Sequence, residues 1–272
     1  MSNLRVVSEN VGQTAVLTAS SEVGDLLVGN LQLSSKTLIW RTAGTSASVT
    51  ATYPAQNTAC VSLPICNLTS TATMQVEVYF GGGVVYDTGA ILCCEYTTIE
   101  KIDFADGPLN ANTFNYGGGS YATVFYPSIN SDKIVATITD TNNTNGYIEA
   151  SYIVVGDTWS PVLNCDYNAA LTFKDTTKSK RSDSGDLRVT RGARYKSLAF
   201  SLGLMSAVDR IALTNIFVRN GSSIETYVSI FPESPDAQEK QVYQVYGFIT
   251  KQSGVKRHKY SRDQSSITIE EI

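Results

Sequence analysis

The feature that most narrows the fold is a succession of short strand-like runs cut by turn residues. Residues 48–53, 74–80, 133–139 and 147–155 are rich in Val, Ile, Thr and Tyr, and clusters of Gly, Asn and Ser separate them. Such spacing is the signature of a β-sandwich or barrel. Within 74–80, Met74, Val76, Val78 and Phe80 alternate with Gln75, Glu77 and Tyr79, so one face is expected in the core and the other in solvent. Gly81 to Gly83 supplies the turn that follows. Residues 115–120 and 140–146 are rich in residues that tolerate left-handed backbone angles and are expected as surface loops.

Composition agrees with this pattern. The 272 residues include 15 Tyr and 9 Phe, types that pack well on pleated surfaces, and 17% are charged, below a usual value near 25%. An all-helical or disordered chain is thereby disfavoured. No run of apolar residues is long enough to span a bilayer as a helix, and the opening residues carry no apolar core of a secretory signal. The expectation is a protein made soluble in the cytosol, with no membrane insertion.

Charge divides the chain. Residues 1–160 hold 5 Lys/Arg and 13 Asp/Glu, net −8; residues 161–272 hold 16 and 12, net +4. This shift predicts two domains meeting near Trp159 and Pro161. The second half is expected to be α+β. Its one convincing helix runs from a cap at Ser206, with Asp209 placed to complete a capping box, to Gly221, with Val208, Ile211, Ala212 and Ile216 as the apolar face. Leu198, Phe200, Leu202 and Leu204 alternate in a strand before it, and a strand at 226–231 follows. A second short helix at about Ser234, a strand over 242–250 and a closing strand at 267–272 complete the unit.

Residue types exclude much chemistry. A single histidine, His258, leaves a Ser-His-Asp or Cys-His mechanism without supporting partners. Cys60, Cys66, Cys93, Cys94 and Cys165 contain no CxxC pair, so buried free thiols are expected, with a thiolate cluster around zinc or iron–sulfur as the alternative. Acidic pairs in a hydrolase context are not recognisable, and no cofactor or metal is expected. The stretch 140–146 fails a calcium loop because glycine falls at the seventh place and Ser151 stands where a bidentate Glu is required. The glycine runs lack a phosphate-binding context.

Several segments in order resemble discoidin-like, galactose-binding-like jelly rolls of bacteriophage tail proteins: Trp40 to Val49, Cys66 to Val78 with Val85 to Gly89, and Ile138 to Gly156, whose Gly-Tyr-Ile-Glu step is Gly146 to Glu149. Downstream, residues 184–198, 227–234 and 267–272 are similar to the second half of the same proteins. The resemblance implies a mainly β protein. Residues 1–160 would form the jelly-roll sandwich and residues 161–272 an α+β hub-like assembly domain with one main helix. It further implies a non-enzymatic distal tail or tail-tip component of a long-tailed phage. Such a protein would assemble in the host cytoplasm as a ring, six-fold by resemblance, in contact with tail tube, hub and tape measure.

The basic run from Lys174 to Lys196 carries eight Lys/Arg against three Asp. Nucleic-acid binding through phosphate neutralisation is disfavoured because Tyr195 alone can stack on bases and the pI is near 5.1. A subunit interface meeting an acidic surface is the stronger expectation, ahead of a solvated loop, with Arg181, Arg188, Arg191, Arg194 and Lys196 as its contacts. The alternative function is recognition of host-surface glycan by the jelly roll, with Trp40 and Arg41 as contacts. An aromatic at a strand end more commonly plugs the core.

Overall fold

In the computed structural model the chain is mainly β, and residues 3–95, 120–190, 192–259 and 262–272 are described. Strands Trp40–Arg41, Glu149–Ala150, Ser46–Cys66, Ser120–Thr139, Thr73–Phe80 and Gly83–Asp87 lie side by side in that order. Val16–Ala19 and Val154–Gly156 add to Ser46–Cys66, and Ile91–Leu92 adds to Thr73–Phe80. The sheet is antiparallel and is organised by its two longest strands, which change partners partway along. The first part of Ser46–Cys66 sits between Val16–Ala19 and the end of Ser120–Thr139; its second part sits between Val154–Gly156 and the start of that strand. Register breaks between Thr52 and Gln56 mark the change, as bulges bend and re-twist strands. A sheet curled in this way encloses one core, containing Val49, Val61, Leu63, Met74, Val76, Val124, Ile138 and Trp40.

Burial differs between the two parts of Ser46–Cys66. Ala47, Val49, Ala51 and Tyr53 are buried and alternate with more exposed neighbours, whereas every residue from Thr58 to Cys66 is buried. Continuous burial means both faces are covered. Val61 and Leu63 face the core of the curled sheet, while Cys60 belongs to a separate cluster shared with the second sheet.

That second sheet runs in the order Arg5–Val7, Thr226–Ser229, Gln244–Gln252, Arg262–Glu271, Arg194–Met205, Ala170–Asp175, with Lys256–Lys259 added to Arg262–Glu271. Helix Ala207–Asn220 packs on it, and its core includes Leu198, Phe200, Leu202, Leu213, Ile216, Val228 and Ile267. Arg5–Val7 pairs with Thr226–Ser229, so the start of the chain is a strand of this sheet and not of the first one. Val6 and Trp159 exchange backbone hydrogen bonds of 2.9 and 2.8 Å, and Asn3 donates to the carbonyls of Pro161 and Val162. The segment around Trp159 is thereby sewn to the first residues of the chain. Gly156 lies at this crossing: a Cβ there would stand 2.3 Å from the Glu9 carbonyl oxygen.

Three local expectations are corrected. The run 147–155 is two short strands, Glu149–Ala150 and Val154–Gly156, because Tyr152 turns towards the second sheet. The helix presents Asp209, Leu213, Ile216 and Asn220 inward, while Val208 and Ile211 are 74% and 57% exposed. Asp209 faces inward because its carboxylate accepts from the Ser206 and Val162 backbone N–H groups, completing the capping box and tying the inter-sheet segment to the helix start. Leu204 is exposed and Met205 buried, because a register shift between Leu202 and Met205 flips the alternation.

The loop 140–146 is exposed at Thr141 and Asn142, but Asp140 is buried and accepts from Thr69 N at 2.8 Å and from Asn143 Nδ2 at 3.2 Å. Residues 115–119 of the other expected loop lie outside the described residues; Ser120 opens a strand. Among the described residues no helix is long and apolar enough to cross a membrane.

Candidate recognition and assembly surfaces

The two sheets meet across a buried layer of tyrosines. Tyr121 and Tyr152 from the first sheet pack with Tyr227 and Tyr246 from the second, together with Val7, Cys60, Ile65 and Val154. Most polar groups brought into this layer are satisfied, as burial favours, while the buried Tyr152 Oη has no hydrogen-bond partner among the described residues. Tyr121 Oη donates to Glu271 at 2.7 Å and accepts from Tyr246 N at 3.1 Å. The Gln241 side-chain amide donates to the Tyr121 carbonyl at 2.6 Å and accepts from its N–H at 3.2 Å, taking the place of a neighbouring strand. Gln244 Oε1 accepts from Tyr227 Oη and Thr123 Oγ1. Burial pushes the Tyr121, Tyr227 and Tyr246 phenols well above their ordinary range, so each stays neutral; Tyr121 and Tyr227 donate, while Tyr246 Oη accepts from Gln13 Nε2 at 3.0 Å.

Lys196 sits in this layer, not at the surface. It is 2% exposed, its Nζ donates to the carbonyls of Gln241 at 3.3 Å and Gln244 at 3.4 Å, and it lies 4.5 Å from the Tyr121 ring centroid. Burial lowers its pKa to about 8, with Glu271 pulling the other way. The expectation that Lys196 contacts another subunit is therefore corrected.

The rest of the basic run is placed very differently. Lys178–Arg181 and Leu187–Thr190 form a two-stranded ribbon of their own, and all eight residues are exposed. Lys180 is opposite Arg188 and Lys178 opposite Thr190, while Arg181 is opposite Leu187 and Ser179 opposite Val189. Residues directly opposite share a face, so one face is basic and the other is Leu187 and Val189 beside Arg181. Arg181 donates to the Gly185 carbonyl within the turn. Arg194, at the base, pairs with Asp175 at 3.0 Å. Arg191 lies outside the described residues.

At the far end of the first sheet, Trp40 is fully buried and donates from Nε1 to the Ser21 carbonyl at 3.1 Å. Its ring plugs the core and is closed to a sugar, which corrects its place among the glycan contacts. Arg41 is partly exposed; it pairs with Glu149 and lies 4.3 Å from the Tyr147 ring centroid. The fold thus joins Arg41 to the Gly146 to Glu149 step.

A cleft of about 480 Å³ opens beside the tyrosine layer, with walls from both sheets. Arg5 pairs with Glu233 and lies 4.5 Å from the Phe125 ring centroid, while Lys240 pairs with Glu95 at 3.0 Å. Leu92 and Pro232 contribute apolar wall. None of these residues carried a sequence signal for a site, because they come from five separate stretches of chain.

The cysteines Cys60, Cys66, Cys93 and Cys94 are buried and Cys165 is half-buried. Burial raises the Cys60 and Cys93 thiols, and raises Cys165 to about 11, so these remain protonated. Among the described residues no group of three or more His, Cys, Asp or Glu side chains could hold a metal ion.

No family model matches the sequence, and no curated protein matches it. Solved structures similar to it include a family 32 carbohydrate-binding module from Clostridium perfringens NanJ in complex with galactose, 14% identical over 55% of this chain and 98% of that one, with a TM-score of 0.37. A second Clostridium perfringens module, in complex with GalNAc-β-1,3-galactose, is 15% identical over 54% of this chain and 99% of that one, with a TM-score of 0.36. A Streptococcus pneumoniae fucose-binding module is 8% identical over 54% and 96%, with a TM-score of 0.35.

Proposed function

We propose that this protein is a non-enzymatic structural component of a phage tail tip, assembling as a ring with copies of itself and contacting tail tube, hub and tape measure. The observation that carries this reading is the ribbon Lys178–Arg181 and Leu187–Thr190, exposed on both faces and basic on one. An isolated two-stranded ribbon is marginal in water, and one that carries opposed Lys180 and Arg188 on one face gains from an acidic partner. The net −8 of residues 1–160 supplies such a surface on a second copy. Rings are built from two different patches meeting at every contact, as ribbon and acidic sheet would. Mass photometry is expected to show discrete oligomers, six-fold by the family resemblance, and Lys180→Glu with Arg188→Glu is expected to reduce them to monomers. A wild-type protein that stays monomeric at high concentration and with tail-tube protein present overturns the reading.

A second reading, recognition of host-surface glycan, is favoured by a separate observation. Arg41 stacks on Tyr147 and pairs with Glu149 at an accessible end of the curled sheet, presenting an aromatic, a donor and an acceptor together. Binding on a glycan array supports this reading; a flat array with properly folded protein removes it.

A further inference from the structure

We propose that the cleft between the two sheets, and not the Arg41 end of the first sheet, is the principal saccharide site, and that its ligand is a neutral mono- or disaccharide. The inference rests on the glycan-recognition reading and is independent of ring assembly. Three observations converge on it.

The first is size. About 480 Å³ lies in the range of small-molecule sites and suits one or two sugar rings. The second is charge balance. Two cations, Arg5 and Lys240, face two carboxylates, Glu233 and Glu95, and each cation is already paired with one of them. A site neutralised internally offers no net field to an ionic ligand. It nevertheless keeps a mixture of donors and acceptors, since a carboxylate engaged by one cation retains lone pairs and a guanidinium carries five N–H groups. Glu233 and Glu95 are 56% and 35% exposed at the side chain, so both carboxylates are reachable from solvent. Adjacent hydroxyls of a sugar, each able to give and accept, match such alternation; a single carboxylate or phosphate does not. The third is the apolar wall of Ile91, Leu92 and Pro232, beside the ion pairs, which suits the C–H face of a pyranose.

The cleft is also held rigid. Gln241 and Gln244 line it and are the residues that fasten Tyr121, Thr123 and Tyr227 across the junction. Little ordering is left for a ligand to impose, which favours binding by a small neutral molecule that cannot draw on ionic attraction.

The experiment titrates full-length protein with lactose, maltose and chitobiose, and with galacturonate dimers, by isothermal calorimetry. Wild type, Glu95→Ala/Glu233→Ala and Arg41→Ala are compared, with melting curves and mass photometry run on each. The expected result is binding of at least one neutral disaccharide, at least ten-fold weaker binding of the acidic dimer, and at least ten-fold loss in the double variant with melting and assembly unchanged. Arg41→Ala is expected to shift affinity less than two-fold. Loss in Arg41→Ala with no change in the double variant overturns the cleft while leaving glycan recognition intact. A preference for the acidic dimer overturns the neutral-ligand assignment. Absence of all saccharide binding, with a flat array, overturns the inference together with the reading beneath it. Should the double variant melt lower, Glu233→Gln alone, at a more exposed position, supplies the same comparison.

Discussion

Lys196 and the ribbon Lys178–Arg181 with Leu187–Thr190 come from a single basic run, yet the first is buried between two sheets and the second is exposed on every residue. The difference is set by the partner across the ladder. Lys196 is paired in register with Phe173 within the second sheet and faces Tyr121 of the first. Among the described residues the ribbon has no third strand. A run of like charges therefore describes neither a surface nor an interface until the strands flanking it are placed.

The sharpest way to break this contrast is at the tyrosine layer. Tyr121→Ala removes a fully buried ring and the phenol that serves both Glu271 and Tyr246 N. A loss of about 3–5 kcal/mol in denaturant unfolding is expected, as for other buried aromatics cut to Ala. A loss below about 1 kcal/mol would show that the sheets do not lean on each other there.

Lys196→Met is expected to act in the opposite direction and to depend on pH. The charged form is penalised by burial, and the folded pKa of about 8 lies below the ordinary lysine value of 10.5. Between these values the unfolded chain binds the proton and the folded one does not, so the lysine's penalty is full below pH 8 and fades as pH rises towards 10.5. Replacement by an apolar side chain of similar length is expected to stabilise by roughly 1–2 kcal/mol at pH 7. The gap between variant and wild type should close by about pH 10. Comparing the two proteins at each pH cancels the buried thiols and phenols, which lower stability in both at alkaline pH. A gap that is constant with pH would show that Lys196 does not titrate in this range.

The smallest effect on folding is expected in the ribbon. Lys180→Glu with Arg188→Glu should change unfolding free energy by no more than about 0.5 kcal/mol, as at exposed positions generally, while abolishing the oligomer. Equal loss of stability and assembly would mean that the ribbon is part of the fold and not a free surface.

Much of the architecture is legible in the sequence where period and burial agree. Met74, Val76 and Val78 alternate and are fully buried on one face, whereas Phe80, expected beside them, is exposed at the turn that ends the strand, and Ser206 with Asp209 forms the capping box its spacing announces. Legibility fails where polar groups take inward positions. The apolar period of the helix points to Val208 and Ile211, but Asp209 is held inside by backbone donors it alone satisfies, and that rotates the buried stripe. Trp40 is a core plug and Lys196 a junction residue for a related reason: each polar atom finds a backbone carbonyl supplied from a distant stretch. Of the candidate contacts, Arg41, Arg181, Arg188 and Arg194 are at least partly exposed. The cleft residues were invisible, since no local pattern joins Arg5 to Glu233 or Glu95 to Lys240.

The strand Arg5–Val7 has a consequence for how the molecule comes into being. During synthesis it emerges long before the neighbour it needs, Thr226–Ser229. The second sheet is therefore sealed late, after the curled sheet has had time to form, and its closure costs the entropy of joining distant points on the chain. A gene cut at residue 160 would separate the two: the downstream fragment would bear a raw edge along Thr226–Ser229, and supplying residues 1–10 as a free peptide would be the way to mend it.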